Sequence, residues 1–258
     1  MKLAYLLFLA AVALSFSGCA TVPKEPAARA EFKAINDPLE PLNRRIFSVN
    51  LFLDHHLIKP VAKTYQRVLP EAVRDGLRHF IDNLHEPVIL INDLLQARFG
   101  TAARTTGRFV VNSTAGIAGV MDVATRHKLP KQTGDFGQTL SLWGFGEGPY
   151  LVLPLFGPSN PRDAIGTGVD VYTDPFRYVA RRQNYPTGVS SGRTIVDGVD
   201  KRARTIQIMD ELEHESVDFY ASLRSLFRQN RAAEVASGKP TGTKAPTTLP
   251  DIYDDPGK

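Results

Sequence analysis

The chain has 258 residues, is 43% hydrophobic and 22% charged, carries a formal net charge of +4 and contains one cysteine. That length fits one large domain or two small ones, and a lone cysteine rules out a disulfide within the chain. The small positive balance, with no arginine stripe interleaved with stacking aromatics, does not point to nucleic acid.

Residues 1–18 read as an export signal. Lys2 gives a short positive start, an apolar run follows, and Ser17 and Gly18 precede Cys19. The run is too short to span a bilayer comfortably. A small-residue site ending at cysteine resembles the bacterial lipobox, in which the cysteine becomes the first residue and carries lipid. Phe16 departs from the usual leucine of that motif. The plainer reading is an ordinary signal peptide that leaves an unpaired thiol, which an oxidising compartment disfavours. Ala20, by resemblance to lipoproteins of Gram-negative bacteria, implies sorting to the outer membrane. Several acyl chains on Cys19 would make anchoring stable. Residues 19–35 then form a polar acylated tether, and loss of Lys2 with the signal lowers the net charge from +4 to +3.

The mature chain reads as a helical domain over 36–236 and a disordered tail over 237–258. "NDPLEPLNRRIFSVNLFLDHHLIKP" is expected to open with Asp37 as N-cap and Pro38 at the first helical position. Leu42, Ile46, Val49, Leu53 and Leu57 follow at helical spacing, and Pro60 is expected to end or kink the helix. A second helix is expected from Pro70, and a third from Pro87. "PVILINDLLQARFG" is apolar around most of its circumference, with Asn92, Asp93 and Gln96 as a narrow polar strip. The next helix repeats the design, with Thr105, Asn112, Ser113 and Gly116 together. A helix apolar nearly all round is either a core helix or one facing lipid.

Residues 134–157 break this pattern with six glycines and with large aromatics, among them Trp143, Phe145, Tyr150 and Phe156. "TLSLW" and "YLVLPLF" are expected to be strands of a hairpin around Gly144, Gly146 and Gly148, flanked by Trp143, Phe145 and Tyr150. Asn160–Pro161 and Asp174–Pro175 repeat the cap-then-proline pattern and predict two more helix starts. From Ser190 to Ala236 the helical period returns with charges interspersed, as in a surface or partner-facing pair. No mature segment reaches the roughly 18 apolar residues of a membrane-spanning helix.

The chain lacks HExxH, a Walker loop, GxSxG and an EF-hand pattern, and "GFGEGP" lacks the third glycine of a dinucleotide loop. His79, His85 and Glu86 are close enough in sequence to meet, but their spacing fits a helix-end role better than a metal site. Neither catalytic residues nor metal ligands are assigned, and no cofactor is expected beyond the covalent lipid on Cys19.

Together, "NDPLEPLNRRIFSVN", "NLHEPVILINDLLQ", "RFVVNSTAGIAGVMDVA", "DFGQTLSLWGFGEGPYLVLPLFGPSNPRD" and "DPF" resemble, in order, the blocks of the MlaA (VacJ) family over about residues 36–230. The resemblance implies an all-α, ring-like monotopic membrane protein with one short glycine-rich hairpin and no transmembrane span. It implies a non-enzymatic outer-membrane lipoprotein, anchored on the periplasmic leaflet and associated with a trimeric porin. Such a protein removes phospholipid from the outer leaflet through an amphipathic channel and passes it to the periplasmic carrier MlaC. Asn92, Asp93, Gln96, Asn112 and Ser113 are then candidates to line the channel. Trp143, Gly144, Phe145, Gly146, Gly148 and Tyr150 are candidates for a hairpin wall or gate. The opening helix departs from the family, with "IFSVNLFLDHH" where more aromatics and asparagines are usual. Two other classes compete. A structural lipoprotein that tethers envelope partners predicts unchanged lipid distribution, and an anchored phospholipase predicts a lyso-lipid product.

Overall fold

The computed structural model describes residues 37–183 and 187–237, with Glu25 and Ile35 besides. The export segment, Cys19 with the rest of its tether and the tail from 238 onward lie outside the described residues. The helices are α1 (Glu40–Leu53), α2 (Lys59–Val68), α3 (Glu71–Leu95), α4 (Phe99–Thr114), α5 (Val123–Arg126), α6 (Phe136–Leu142), α7 (Pro161–Thr173), α8 (Pro175–Arg182), α9 (Thr187–Glu215) and α10 (Phe219–Ser237). Between α6 and α7 runs the hairpin of β1 (Leu151–Leu153) and β2 (Gly157–Ser159). The strands are antiparallel, with Val152 opposite Pro158. No helix of the described residues is long and apolar enough to cross a membrane.

The first helix does not start where Asp37–Pro38 predicts. It begins at Glu40, with Pro41 in its first turn and no side-chain cap. Asp37 is buried instead, and accepts from Asn43 Nδ2 (2.8 Å), the Tyr220 hydroxyl (2.5 Å) and Arg224 Nη1 (2.7 Å). Its carboxylate is therefore used by tertiary partners rather than by free amides. Near Pro60 the chain passes through a π-helical turn, Asp54–Ile58, directly into α2. Arg202 grips Asp54 there with two hydrogen bonds (2.7 and 2.8 Å), and Lys59 meets Asp210 at 2.8 Å. The expected apolar series splits: Ile46 packs on the core, whereas Val49 and Leu57 face outward.

Pro87 starts no helix. It lies inside α3, which runs unbroken for 25 residues. Proline removes one amide donor and crowds the preceding turn, which normally ends or bends a helix. Here both sides of the proline are tied to α4, Asn83 through Ser113 (2.9 Å) and Glu86 through Arg108 (2.9 Å) before it and Asp93 through Thr105 (2.8 Å) after it. "TLSLW" is not a strand either, since α6 covers most of it. The Asp135 carboxylate accepts from the Gln138 amide (2.9 Å) and caps the helix. Gly137 of α6 and Gly166 of α7 let these two helices meet backbone to backbone, where a Cβ at either position would collide. The hairpin is present but sits later, turning through Pro154–Phe156 rather than around Gly144–Gly148.

The two predicted cap-then-proline starts hold. Asn160 accepts from the Asp163 amide (2.9 Å) ahead of Pro161, and Asp174 accepts from the Phe176 amide (3.0 Å) across Pro175. The C-terminal pair is not merely a surface pair. The buried apolar cluster joins Phe47 of α1, Tyr150 and Val152 of the hairpin and Tyr220 of α10, with Phe219, Leu223 and Phe227 against it. Phe47 and Tyr220 meet edge to face at 5.4 Å, a favoured ring geometry.

Candidate functional site

The usual distribution of polarity is inverted over much of this molecule. The largest fully buried side chains are Glu86, Asn43, Asn92, Thr105, Thr139, Asp37 and Asp93, every one polar. Large apolar side chains on α3 and α4 point outward, with Leu94 50%, Phe99 69% and Val110 52% exposed. Buried polar groups are costly unless hydrogen-bonded, and large contiguous apolar surface marks contact with a membrane or a partner.

The inner faces of α3, α4, α6 and α7 carry one connected network. Thr105 Oγ1 donates to Asp93 Oδ2 (2.8 Å), while Arg98 stands 3.7 Å from the other carboxylate oxygen. Gln96 Nε2 donates to Thr139 Oγ1 (2.9 Å), which donates to Asn92 Oδ1 (2.9 Å). Asn92 Nδ2 donates to Asp170 Oδ1 (2.8 Å), and Asp170 Oδ2 accepts from the Phe136 amide (2.9 Å). Burial pushes the carboxyls of Asp93 and Asp170 up, against the hydrogen bonds that favour their charged forms. The strip Asn92, Asp93 and Gln96 is thus brought together as expected, with each side chain packed against neighbouring helices.

Asn112 and Ser113 belong to two further contacts. Asn112 Oδ1 accepts from the Ala124 amide (2.9 Å) and its Nδ2 donates to Asp122 (3.2 Å). Ser113 Oγ accepts from Asn83. Between them lies a group that the pattern of polar strips did not single out. Arg108 is buried on α4 and donates to Glu86 (2.9 Å), Asp122 (3.2 Å), Thr125 (3.0 Å) and the Leu129 carbonyl. Burial pushes Glu86 up despite Arg108. Burial also opposes ionisation of Asp122, but the Thr125 and Arg108 hydrogen bonds outweigh it and hold Asp122 at about 2. A signal was present: Glu86 and Arg108 are opposite charges that each stand at the start of an apolar run.

The glycine-rich segment divides into two parts. Trp143, Phe145, Leu155 and Phe156 are exposed, whereas Tyr150 is buried in the core. Tyr150 therefore anchors the segment instead of projecting from it. Gly144 and Gly148 have positive φ (93° and 73°), a backbone that glycine adopts freely, and Gly146 has open space around it.

The hairpin is held by two asparagines of α1. Asn43 Nδ2 donates to the Tyr150 carbonyl (3.0 Å) while its Oδ1 accepts from the Val152 amide (3.0 Å). Asn50 does the same to the Leu153 carbonyl and the Leu155 amide (2.9 Å each). Seven residues of helix rise about 10.5 Å, close to the roughly 10 Å that three extended residues span, so Asn43 reaches β1 and Asn50 reaches its end and the turn beyond it. Helix α1 thereby satisfies a strand edge that would otherwise be open. No cluster of three or more metal-ligating side chains occurs among the described residues, and Glu86 is committed to Arg108 rather than to the histidines.

A family model described as MlaA lipoprotein matches residues 35–234. The chain is 32% identical over 216 residues to the intermembrane phospholipid transport system lipoprotein MlaA of Escherichia coli (strain K12), covering 82% of this chain and 81% of the relative. Its likeness to the protein of the same name from Haemophilus influenzae is 32% over 247 residues, covering 93% and 92%. A solved structure concerned with the structural basis for maintenance of bacterial outer membrane lipid asymmetry matches with a TM-score of 0.68 at 30% identity, over 77% of this chain and 98% of that one. On the extent of these matches, with the connected polar interior behind an apolar exterior, the chain belongs to the MlaA lipoprotein family.

Proposed function

We propose that this protein is an outer-membrane lipoprotein that removes phospholipid from the outer leaflet and passes it to a periplasmic lipid carrier of the MlaC type, beside a trimeric porin. The observation that carries the reading is the inversion of polarity: buried polar networks on α3, α4, α6 and α7, with Leu94, Phe99 and Val110 turned outward. A headgroup loses its water when it crosses hydrocarbon, and a polar wall beside apolar surface lowers that barrier. In this reading Asn92, Asp93, Gln96, Asn112 and Ser113 brace the polar side of the path. Trp143, Phe145, Leu155 and Phe156 lie at the membrane interface, where aromatic side chains are favoured. The loop through Gly144, Gly146 and Gly148 is the mobile rim. The protein acts without chemistry of its own, and Cys19 carries the anchor.

The test is the amount of phospholipid accessible at the cell surface, read with a membrane-impermeant amine reagent, in a strain lacking the gene. Surface phospholipid is expected to rise, and the wild type but not Cys19→Ala is expected to restore it. An unchanged surface in the deletion strain would sink the transport reading in favour of a tether.

A further inference from the structure

Resting on that membrane reading, we infer that the segment from Ile117 to Lys131 is a docking surface for anionic phospholipid headgroups. Its first half is an apolar tip. Ile117, Val120 and Met121 are exposed on a turn whose backbone enters the left-handed region at Ile117, Ala118 and Gly119. The turn is closed on α4, with the Gly119 amide donating to the Asn112 carbonyl (2.8 Å) and the Met121 amide to the Gly116 carbonyl (2.9 Å). A Cβ on Gly119 would collide with the Asn83 side chain, so the tip is seated at a fixed depth.

Its second half is basic. Arg126, His127 and Lys128 are exposed in succession, and Lys131 follows. Among the described residues no carboxylate pairs with Arg126 or Lys128. The acids near the segment are already engaged: Asp122 with Arg108 and Thr125, Glu86 with Arg108, and Asp82 with Lys131 (2.9 Å). Arg108 also binds the Leu129 carbonyl and the Thr125 hydroxyl. A buried cation thus holds the loop in shape while Arg126 and Lys128 stay uncommitted. Lys128 has φ 60°, an uncommon backbone for a residue with a side chain, which places it outward on a tied loop. An apolar tip followed at once by uncompensated cations complements a leaflet whose headgroups carry phosphate and whose interior is hydrocarbon.

The experiment uses the full acylated chain in vesicles of phosphatidylethanolamine with a minority of phosphatidylglycerol. Protein is excised with its surrounding lipid by a membrane-solubilising copolymer, and the co-extracted lipids are quantified by mass spectrometry. Wild type is expected to enrich phosphatidylglycerol about fivefold over the bulk at low salt, falling as salt is raised. Arg126→Gln/Lys128→Gln should bring the ratio close to bulk, with thermal unfolding unchanged because both side chains are exposed. Lys63→Gln/Arg67→Gln makes the same charge change on the exposed surface of α2 and should retain the enrichment. No enrichment in the wild type, or equal loss in both double variants, overturns the proposal. Surface phospholipid in the deletion strain is a separate readout, so failure of the transport reading is distinguishable from failure of this one.

Discussion

Arg108 and Glu86 show how a single buried charge pair organises the α3–α4 seam. The pair is 2.9 Å apart, and Glu86 is 1% exposed. Arg108→Met would leave Glu86 buried and unpaired, which is expected to cost about 3–5 kcal/mol in urea unfolding of the detergent-solubilised protein. Adding Glu86→Gln should recover much of that loss, because the stranded charge is gone. Asp122 carries a separate prediction. Its folded value of about 2 lies below the unfolded value of about 3.9, so the stabilisation is complete above about pH 5 and is lost as pH falls toward 2. Asp122→Asn should remove up to about 2 kcal/mol at neutral pH and flatten the acid limb of the stability curve. A wild-type acid limb that is unaffected by Asp122→Asn would count against the assignment.

Between helix α1 and the hairpin the decisive feature is a pair of asparagine side chains on one helix face. Asn43 and Asn50 lie two helical turns apart, and each meets a carbonyl and an amide of the hairpin, Asn43 at Tyr150 and Val152 and Asn50 at Leu153 and the turn residue Leu155. Asn50→Leu leaves the Leu153 carbonyl and Leu155 amide without those partners, at an expected cost of about 1–3 kcal/mol. Hydrogen exchange should show faster exchange at Leu155 while Val152, held by Asn43, keeps more of its protection. The α6–α7 contact makes a second prediction. Gly166→Ala puts a methyl against the Gly137 backbone and is expected to destabilise by about 1–3 kcal/mol, whereas Gly168→Ala, where the space is open, should not. Equal melting temperatures for the two variants would show that the helices do not meet at Gly137.

Across the whole molecule, the arrangement makes sense if the apolar exterior is covered by lipid. The buried apolar cluster around Phe47, Tyr150, Val152 and Tyr220 is small, and much of the remaining interior is held by hydrogen bonds and ion pairs. Arg231 illustrates this: it bridges Asp135 (2.7 and 2.8 Å) and Asp163 (2.8 and 2.9 Å), joining α10 to α6 and α7. Such pairs are weak in water and gain strength where solvent is excluded. Phe99→Asp tests the covering directly. Phe99 is 69% exposed, so stability in detergent should change by less than about 0.5 kcal/mol, as for surface substitutions generally. Surface phospholipid in cells complemented by this variant should rise, because a charge on a lipid-facing helix is costly. Full complementation by Phe99→Asp would place α4's start away from lipid.

Much of this was legible without coordinates, for reasons that are local. Asn160–Pro161 and Asp174–Pro175 start helices because cap and proline act on their own turn. The polar strips of α3 and α4 are visible because helical period alone gathers Asn92, Asp93 and Gln96 on one side. Even the helix at 136–142 had a signal in the spacing of Asp135 and Gln138, although "TLSLW" reads more easily as a strand. What had to wait for the fold depends on partners distant in sequence. Asp37 has the residue type and position of a cap, yet Tyr220 and Arg224 claim it. Pro87 has the chemistry of a helix breaker, yet α4 binds the chain on either side of it. The outward turn of Leu94 and Phe99 is a property of neither residue, because an apolar face records only that water is excluded, and the assembled interior of polar side chains decides that the excluding medium lies outside.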